Sequence, residues 1–355
     1  MEQFKFRVLK QDHKTQARIG EIQTSHGKVD TPAFVPVGTQ ATVKTLTPEE
    51  LNTLGVQLFF VNTYHTYLRP GVAVIKKFGG LHRFMGWNGP IITDSGGFQI
   101  FSLARNFNRQ PPPDGPEVGP ADAYRGSFFD SPRQGPDLPS VHQRPFAKAV
   151  TGLEKTRRAA SSSSFVKITE EGVEFRSHWD GSLHQFTPEK SIEIQHALGA
   201  DIILAFDDCT PYPVTYEKAR ISMERTHRWA ERSFVTNAKC QMLNAKFKKP
   251  YQALYGVIQG SVYEDLRKES AKFISSLPFV GIAIGGVSVG ESKEEMAKVL
   301  KWVTPILPSD RPRHLLGVGE IDDIFTLVEA GIDTFDCVAP TRLGRMGHLY
   351  TNSKF

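Results

Sequence analysis

Short apolar runs recur along most of this sequence and constrain its fold more than any other feature. Because consecutive positions within each run are apolar, both faces should be buried, as in the strands of a parallel sheet. Parallel strands need crossover connections, which are usually helices. The eight runs lie at residues 31–37, 56–62, 90–93, 201–206, 254–258, 279–284, 314–318 and 332–337.

The segments between these runs carry helix signals. Residues 47–50 (Thr-Pro-Glu-Glu) and 292–295 (Ser-Lys-Glu-Glu) each place a glutamate three positions after an N-cap residue, which is the capping-box pattern. Residues 263–277 and 320–330 carry apolar side chains at helical spacing. Eight strands that alternate with seven helical segments predict a closed (β/α)8 barrel of the TIM type.

Three regions fall outside the barrel pattern. Residues 4–35 alternate between apolar and polar positions, so we expect an N-terminal antiparallel sheet, assigned to residues 1–30. Residues 104–166 are rich in proline and serine and predict a mostly disordered insertion within one catalytic domain, residues 1–355. The residues after Asp336 show no amphipathic helical pattern, so we expect the eighth helix of the barrel to be missing.

Composition favours a globular protein outside the membrane. Hydrophobic residues make up 39% of the chain, and no apolar run approaches the roughly 20 residues that span a bilayer. The N-terminus lacks the basic start and apolar stretch of a secretory signal. Three scattered cysteines form neither a disulfide framework nor a CxxC metal site. We therefore expect a cytoplasmic protein with no membrane partner and no metal ligands in this chain.

Charge gives a weaker indication. The net charge of +5 favours a polyanionic partner only slightly. Between residues 214 and 250, nine Lys or Arg residues face three Glu residues. This stretch is consistent with a solvated helix face or with a phosphate-binding surface, and the sequence leaves both open.

Polar residues and glycines follow the predicted strands. Asp94, Asp207 and Asp336 come at the ends of three runs, Gln259 and Gly286 at the ends of two others. Since the active site of such a barrel lies at the carboxyl ends of the strands, these residues should meet on one rim. Each has a simpler explanation as a helix cap or turn, and a lone cysteine such as Cys209 or Cys337 is more often a small buried side chain than a nucleophile. His65 could equally be structural.

The chemistry of this set suits a glycosidic bond. One carboxylate can attack an anomeric carbon while another moves a proton. Asp207 and Gln259 together also suit the edge of a purine, because a carboxylate accepts from N–H groups and an amide both donates and accepts. Phe98 and Leu316 could enclose a flat ring. An unrelated barrel glycosidase that uses paired carboxylates remains an alternative at this point.

Six ordered motifs resemble bacterial tRNA-guanine transglycosylase, of the queuine tRNA-ribosyltransferase family. The resemblance covers nearly the whole chain outside residues 104–166. The motifs are NTYHTYLRPG at 62–71, TDSGGFQIFSL at 93–103, AFDDCTPYP at 205–213, GVIQGSVYEDLR at 256–267, IGGVSVGE at 284–291 and FDCVAPTRLGR at 335–345.

The resemblance implies a role for each matching residue. Asp336 would be the nucleophile that forms a covalent enzyme–RNA intermediate, and Asp94 the general base that also contacts the incoming base. The remaining substrate-binding residues would be Ser95, Gly96, Gly97, Phe98, Asp207, Gln259 and Gly286. Residues implied to contact RNA are Gly317, Val318, Gly319, Glu320, Ile321, Asp322, Asp323, Thr341, Arg342, Leu343, Gly344 and Arg345.

The resemblance also implies partners and a cofactor. The reaction would replace the wobble guanine of a tRNA with a GUN anticodon by 7-aminomethyl-7-deazaguanine, in queuosine biosynthesis, and the enzyme could be a homodimer. The family's zinc ligands, a Cys-x-Cys-x-x-Cys group and a distant His, are expected downstream of the nucleophile, so the zinc subdomain is expected to be missing here. A non-catalytic tRNA-binding paralogue or an inactive truncated fragment is the alternative. Retention of both Asp94 and Asp336 argues against the paralogue.

Overall fold

In the computed structural model, eight parallel strands close into a barrel. The structure describes residues 4–108 and 166–350, without the side chains of 103–108. Each strand pairs with the next around the barrel, and the last barrel strand in the chain closes it against the first. All eight runs predicted as strands contribute one each, which confirms the (β/α)8 prediction. The barrel strands are β4 (Ala33–Gly38), β5 (Phe59–Val61), β6 (Ile91–Thr93), β10 (Ile202–Leu204), β11 (Ala253–Ile258), β12 (Gly281–Ile284), β13 (Arg313–Leu315) and β14 (Thr334–Cys337).

Helices connect the barrel strands along the chain. The two predicted capping boxes are both formed. The Thr47 side chain accepts from the backbone N–H of Glu50, and the Ser292 side chain from that of Glu295. In each case the glutamate side chain accepts from the backbone N–H of the N-cap residue. The helices are α1 (Pro48–Thr53), α2 (Thr63–Thr66), α3 (Val72–Lys77), α4 (Leu81–Met85), α5 (Gly97–Asn108), α6 (Pro188–Leu198), α7 (Tyr216–Lys246), α8 (Glu264–Ser276), α9 (Lys293–Val303), α10 (Ile321–Glu329) and α11 (Ala339–Arg345).

The N-terminal sheet closes one end of the barrel. As predicted, it is antiparallel, with strands β1 (Lys5–Gln11), β2 (Arg18–Thr24) and β3 (Gly27–Thr31). Its side chains Ile22 and Val29 join the inward-facing residues of the barrel strands in one apolar cluster. A buried Arg18 ties β2 to Asp333, the residue before β14, through two hydrogen bonds of 2.8 and 2.5 Å. The amino ends of the barrel strands are therefore covered, which leaves the carboxyl ends for a site.

A second antiparallel sheet was not predicted. It contains β7 (Val166–Ile168), β8 (Val173–Arg176) and β9 (Leu183–Phe186) and lies between α5 and α6 in the chain. Phe186 of this sheet packs near Gly96, so the sheet lies beside the carboxyl end of β6. Helix α5 reaches Asn108 and β7 begins at Val166, and residues 109–165 of the predicted insertion lie outside the described part of the chain.

The last barrel strand is followed by a short helix that the sequence analysis did not predict. This helix, α11, has seven residues and buries none of them, so it adds no layer to the outside of the barrel. Among residues 4–108 and 166–350, no helix is long and apolar enough to cross a membrane.

Candidate active site

Five of the predicted residues share one end of the barrel. Asp94 follows β6, Asp207 lies just beyond β10, Gln259 follows β11 and Gly286 lies just beyond β12. Asp336 is the second-last residue of β14. Because the strands are parallel, these positions meet at the carboxyl rim. The side chains are nearly buried, with exposed fractions of 7% for Asp94 and 2% for Gln259. The structure thus brings together residues that are far apart in the sequence.

Asp94 is surrounded by neutral hydrogen-bond donors. Its carboxylate accepts from Asn62 Nδ2 at 2.7 Å, from the Thr63 backbone at 2.7 Å and from the Gly96 backbone at 3.2 Å. Burial outweighs these hydrogen bonds, and together with repulsion from Asp336 it raises the pKa of Asp94 to about 6. The carboxyl group can therefore gain or lose a proton near neutral pH, as a general acid or base must.

Asp207 and Gln259 form one unit. Gln259 Nε2 donates to Asp207 Oδ2 at 2.7 Å, and Ser95 Oγ donates to Asp207 Oδ1 at 2.9 Å. Burial, opposed by these two hydrogen bonds, raises the pKa of Asp207 to about 6. With its amide nitrogen engaged, Gln259 presents its oxygen as an acceptor, next to a carboxylate that can accept further N–H groups.

Asp336 is held by two donors on one oxygen. His314 Nε2 lies 3.1 Å from Asp336 Oδ1, and the Gly317 backbone donates to the same oxygen at 3.1 Å. His314 is fully buried, contacts Thr334 Oγ1 through Nδ1 at 2.8 Å and stacks on Phe60. The orientation of Asp336 is fixed through Oδ1, and among the described residues no hydrogen bond engages Oδ2.

Arg267 shapes the backbone around Gly286. This arginine is fully buried and donates to the carbonyl oxygens of Ser261, Gly285 and Gly286 at 2.6, 2.7 and 2.7 Å. Gly286 has a φ of +62°, and a Cβ there would collide with the side-chain oxygen of Gln259. Only glycine suits this position, and its backbone can approach a ligand closely.

The loop after β6 has similar constraints. Gly96 has a φ of +84°, and a Cβ on Gly97 would lie 2.8 Å from the Asp207 carbonyl oxygen. Phe98, at the start of α5, is 45% exposed and stands at the rim. An exposed aromatic ring beside buried polar groups can cover a flat ligand.

The two segments predicted to contact RNA also lie at the rim. The first contains Gly317, which touches Asp336, and continues into α10, where Lys293 neutralises Asp322 at 2.7 Å and Asp323 at 2.9 Å. The second is helix α11, which contains the half-buried Arg342 and follows the strand of Asp336.

Sequence reasoning did not assign four residues that position this site, which are Asn62, Gln99, His314 and Arg267. Gln99 helps to lower the pKa of Asp94 against the effect of burial, while its side-chain oxygen is buried with no partner among the described atoms. A polar residue inside an apolar run, such as His314 in HLLGV, is a signal that could have indicated a buried contact.

The simpler explanations hold for the cysteines. Cys209 and Cys337 are buried, and burial raises the pKa of both thiols, to about 11 for Cys337. Both therefore stay protonated at neutral pH, as poor nucleophiles. Burial also lowers the pKa of His65 to about 4, so this ring is neutral.

The basic stretch of residues 214–250 is mostly helix α7, and its arginines are engaged with carboxylates. This pairing is what a solvated helix face shows, and it leaves these side chains less available to phosphates. The pairs are Arg220 with Glu217 and Glu224, Arg225 with Asp208, Arg228 with Glu170, and Arg232 with Glu189.

The zinc ion that the resemblance implies does not fit the residues described. Cys209, Cys240 and Cys337 lie apart and are free. In residues 4–108 and 166–350, the two groups of side chains that could hold a metal are His26 with His82 and Asp201, and Glu320 with Asp322 and Asp323. Neither contains a thiol, so neither matches a ligand set of three cysteines and one histidine.

The fold and the rim define a (β/α)8-barrel enzyme with carboxylates converging at its mouth. A family model described as queuine tRNA-ribosyltransferase matches residues 12–113 and 148–355. Proteins with that name from Desulforudis audaxviator (strain MP104C) and Desulforamulus reducens (strain ATCC BAA-1160 / DSM 100696 / MI-1) are 45% and 46% identical to this chain. The alignments cover 98% of this chain and 75% and 76% of those proteins. The chain belongs to the queuine tRNA-ribosyltransferase family, a family of tRNA-guanine transglycosylases.

Proposed function

We propose that this chain replaces the wobble guanine of a tRNA with a GUN anticodon by 7-aminomethyl-7-deazaguanine, through a covalent enzyme–RNA intermediate. Family membership supports base exchange in tRNA as a step of queuosine synthesis. The observation that carries the finer proposal is the rim itself. Two buried carboxyl groups, Asp94 and Asp336, are close enough to influence each other electrostatically, and the purine-binding pair Asp207–Gln259 lies on the strands next to Asp94.

Asp336 is the nucleophile in this proposal. With Oδ1 held by His314 and Gly317, Oδ2 is the oxygen that attacks the anomeric carbon of the ribose. The new C–O bond forms as the bond from that carbon to guanine breaks, which gives a ribosyl ester. The incoming base then displaces Asp336, and two inversions return the ribose to its original configuration.

Asp94 moves the protons. The departing guanine takes up one proton, and the incoming base gives one up when it attacks. A carboxyl group with a pKa of about 6 can supply the first and accept the second. The incoming base has carbon instead of nitrogen at position 7 and cannot be protonated there, which favours exchange in one direction.

The purine edge is read by groups that the structure holds in place. Asp207 accepts N–H groups of the base, the side-chain oxygen of Gln259 accepts another, and the backbone N–H of Gly286 donates to the base carbonyl. Phe98 stacks on the ring, since an exposed aromatic side chain stabilises an unstacked base by about 1–3 kcal/mol. The target base must leave the anticodon stack to reach Asp336.

The RNA-contacting segments are proposed on the same basis. Gly317–Asp323 and Thr341–Arg345 flank Asp336 on both sides, in the loop before α10 and in α11. Arg342 and Arg345 would position phosphates of the anticodon loop. A homodimer remains a prediction.

The test is incorporation of labelled guanine into a cognate tRNA. We expect Asp336→Ala to lower the rate by on the order of 10³-fold or more, because no other group can form the ester. The exposed Asp310, at the other end of β13, provides the matched control, and Asp310→Ala should exchange at the wild-type rate. Denaturing electrophoresis should show a protein–tRNA adduct in wild type and none in Asp336→Ala.

The alternatives give different results. If wild type binds tRNA in a salt-sensitive way but neither exchanges guanine nor forms an adduct, it is a non-catalytic relative. If Asp336→Ala still forms the adduct, another residue is the nucleophile. Labelled guanine already incorporated into the tRNA should be released by 7-aminomethyl-7-deazaguanine but not by adenine. Release by unlabelled guanine without release by the deazaguanine would contradict the proposed substrate.

A further inference from the structure

A second cluster of polar side chains lies at the opposite end of the barrel. Asp201 immediately precedes β10, His26 lies in the turn between β2 and β3, and His82 is in α4. Three segments that are distant in the sequence therefore meet where the N-terminal sheet covers the barrel. The amino ends of the strands are remote from the rim that contains Asp94 and Asp336.

The two imidazole rings converge on one carboxylate. His26 Nδ1 lies 2.7 Å from Asp201 Oδ1, and His82 Nε2 lies 3.1 Å from Asp201 Oδ2. The rings stack with centroids 3.6 Å apart and 18° between their planes, and both contacting nitrogens face the same carboxylate. The donor atoms of all three side chains lie within 4.8 Å of one another.

The buried carboxylate is fixed in place by its contacts with the two imidazoles. The Ile91 backbone donates to Oδ2 at 3.0 Å and orients the group further. The Asp201 side chain is fully buried, whereas His26 is 28% and His82 13% exposed, so water can reach the imidazoles.

We propose that His26, His82 and Asp201 bind one divalent transition-metal ion, with Zn²⁺ the best match. Two imidazole nitrogens and a carboxylate are a ligand set that Zn²⁺ accepts, whereas Mg²⁺ and Ca²⁺ prefer oxygen ligands. The exposed side of the imidazoles leaves a coordination position for water. This site contains no cysteine, so it is distinct from the zinc ligand set expected of the family.

The metal takes the place of protons. In the hydrogen-bonded arrangement each contacting nitrogen carries the proton, and binding would shift that proton to the other ring nitrogen, or release it from a protonated ring, so that the lone pairs face the ion. A tetrahedral ion with ligand bonds of about 2.1 Å holds neighbouring donor atoms about 3.4 Å apart. The nitrogen–oxygen distances of 2.7 and 3.1 Å must open by a few tenths of an ångström, and the stacked, partly exposed rings must rotate so that the ion lies near both ring planes. A bound ion would then fasten the β2–β3 turn to α4 and to β10.

Direct titration tests the site. The full chain, treated with a chelator and freed of it, is titrated with Zn²⁺ by calorimetry and with Co²⁺ by visible absorption. We expect one ion per chain at this site and a rise in melting temperature. His82→Gln and His26→Gln should each weaken binding at least tenfold, a loss at least as large as that caused by altering the partner of a ligand. The exposed His13 gives the control, and His13→Gln should bind as wild type does.

The controls separate binding from folding. Neither histidine touches the rim, so both variants should exchange guanine at the wild-type rate, which shows that they are folded. Asp201→Asn should also lose the Co²⁺ absorption. If wild type binds no ion below millimolar Zn²⁺, or if the His26 and His82 variants bind as tightly as wild type, the proposal is wrong and the cluster is a set of hydrogen bonds only.

Discussion

Strands β10 and β14 each carry a buried aspartate at both ends, and the two ends differ in their partners. At the amino ends, Asp333 receives two hydrogen bonds from the Arg18 guanidinium, and Asp201 receives the imidazoles of His26 and His82. At the carboxyl end of β10, the side-chain donors to Asp207 among the described residues are the neutral Ser95 and Gln259. The same strand thus places one carboxylate among basic side chains and another among neutral ones.

The consequence is visible in the protonation of the two ends. Hydrogen bonds from imidazoles lower the pKa of Asp201 to about 2, whereas burial among neutral groups raises the pKa of Asp207 and of Asp94 to about 6. Asp201 at the amino end is therefore a permanent charge, whereas burial raises the pKa of Asp333 although Arg18 opposes that shift. At the rim, Asp94 and Asp207 contact neutral donors among the described residues and can exchange protons near neutral pH. Stability and chemistry are separated along the strand.

The largest effect that tests this separation is expected for Asp94→Asn. Without a group that takes up and releases protons, the rate of guanine exchange should fall by about 10²–10⁴-fold. Stability at pH 7.5 should not fall, because the raised pKa shows that the ionised carboxylate is unfavourable in the folded state. Single-turnover exchange and urea unfolding measure the two quantities. A variant that exchanges within tenfold of wild type would show that Asp94 does not transfer the proton.

The opposite result is expected at the amino end. Arg18→Met leaves the buried Asp333 without its cation and should lower the free energy of unfolding by about 3–5 kcal/mol. Arg7 pairs with Glu21 at 3.8 Å but is 70% exposed, so Arg7→Met should cost no more than about 1 kcal/mol. The folded Arg18→Met protein should keep its exchange rate. Equal losses of stability in the two variants would mean that the buried pair contributes no more than the surface pair.

The barrel could be predicted from the sequence because its signals are local. Each of the eight strands is an apolar run, and the caps at Thr47 and Ser292 are sequence patterns that the structure forms as written. The second sheet escaped prediction because its strands, VKI, VEFR and LHQF, contain polar residues and lack the continuous apolar runs that mark the barrel strands. Helix α11 has no fully buried residue, so it has no buried apolar face for a periodicity to reveal.

The site divides in the same way. Asp94, Asp207 and Asp336 stand at strand ends, and parallel strands guarantee that such ends meet. Asn62 also follows a strand, β5, which pairs with β6, so the same rule places it near Asp94. His314 lies inside β13, and its contact with Asp336 cannot be found by that rule. Contacts of this kind depend on strand register and side-chain direction, which a single sequence does not specify.

The smallest and most diagnostic effect is the dependence on pH. Asp94 and Asp207 have pKa values of about 6, so each becomes protonated below pH 6. Asp94 can then no longer accept a proton, and kcat/KM should fall about tenfold per pH unit or more steeply.

The raised pKa values of Asp94 and Asp207 favour the folded state as pH falls. The stabilisation that they contribute is complete below their unfolded pKa and is lost as pH rises through about 6. Asp201, with a pKa of about 2, stays ionised throughout, and the stability it contributes is lost only as pH falls through that value. Exchange rates and urea midpoints should be measured between pH 5 and 8. As pH is lowered, the rate should fall, whereas the titration of these three carboxyl groups should not lower the urea midpoint. If the urea midpoint falls in step with the rate, unfolding rather than protonation of the rim explains the loss, and the contrast between the two ends of the barrel does not hold.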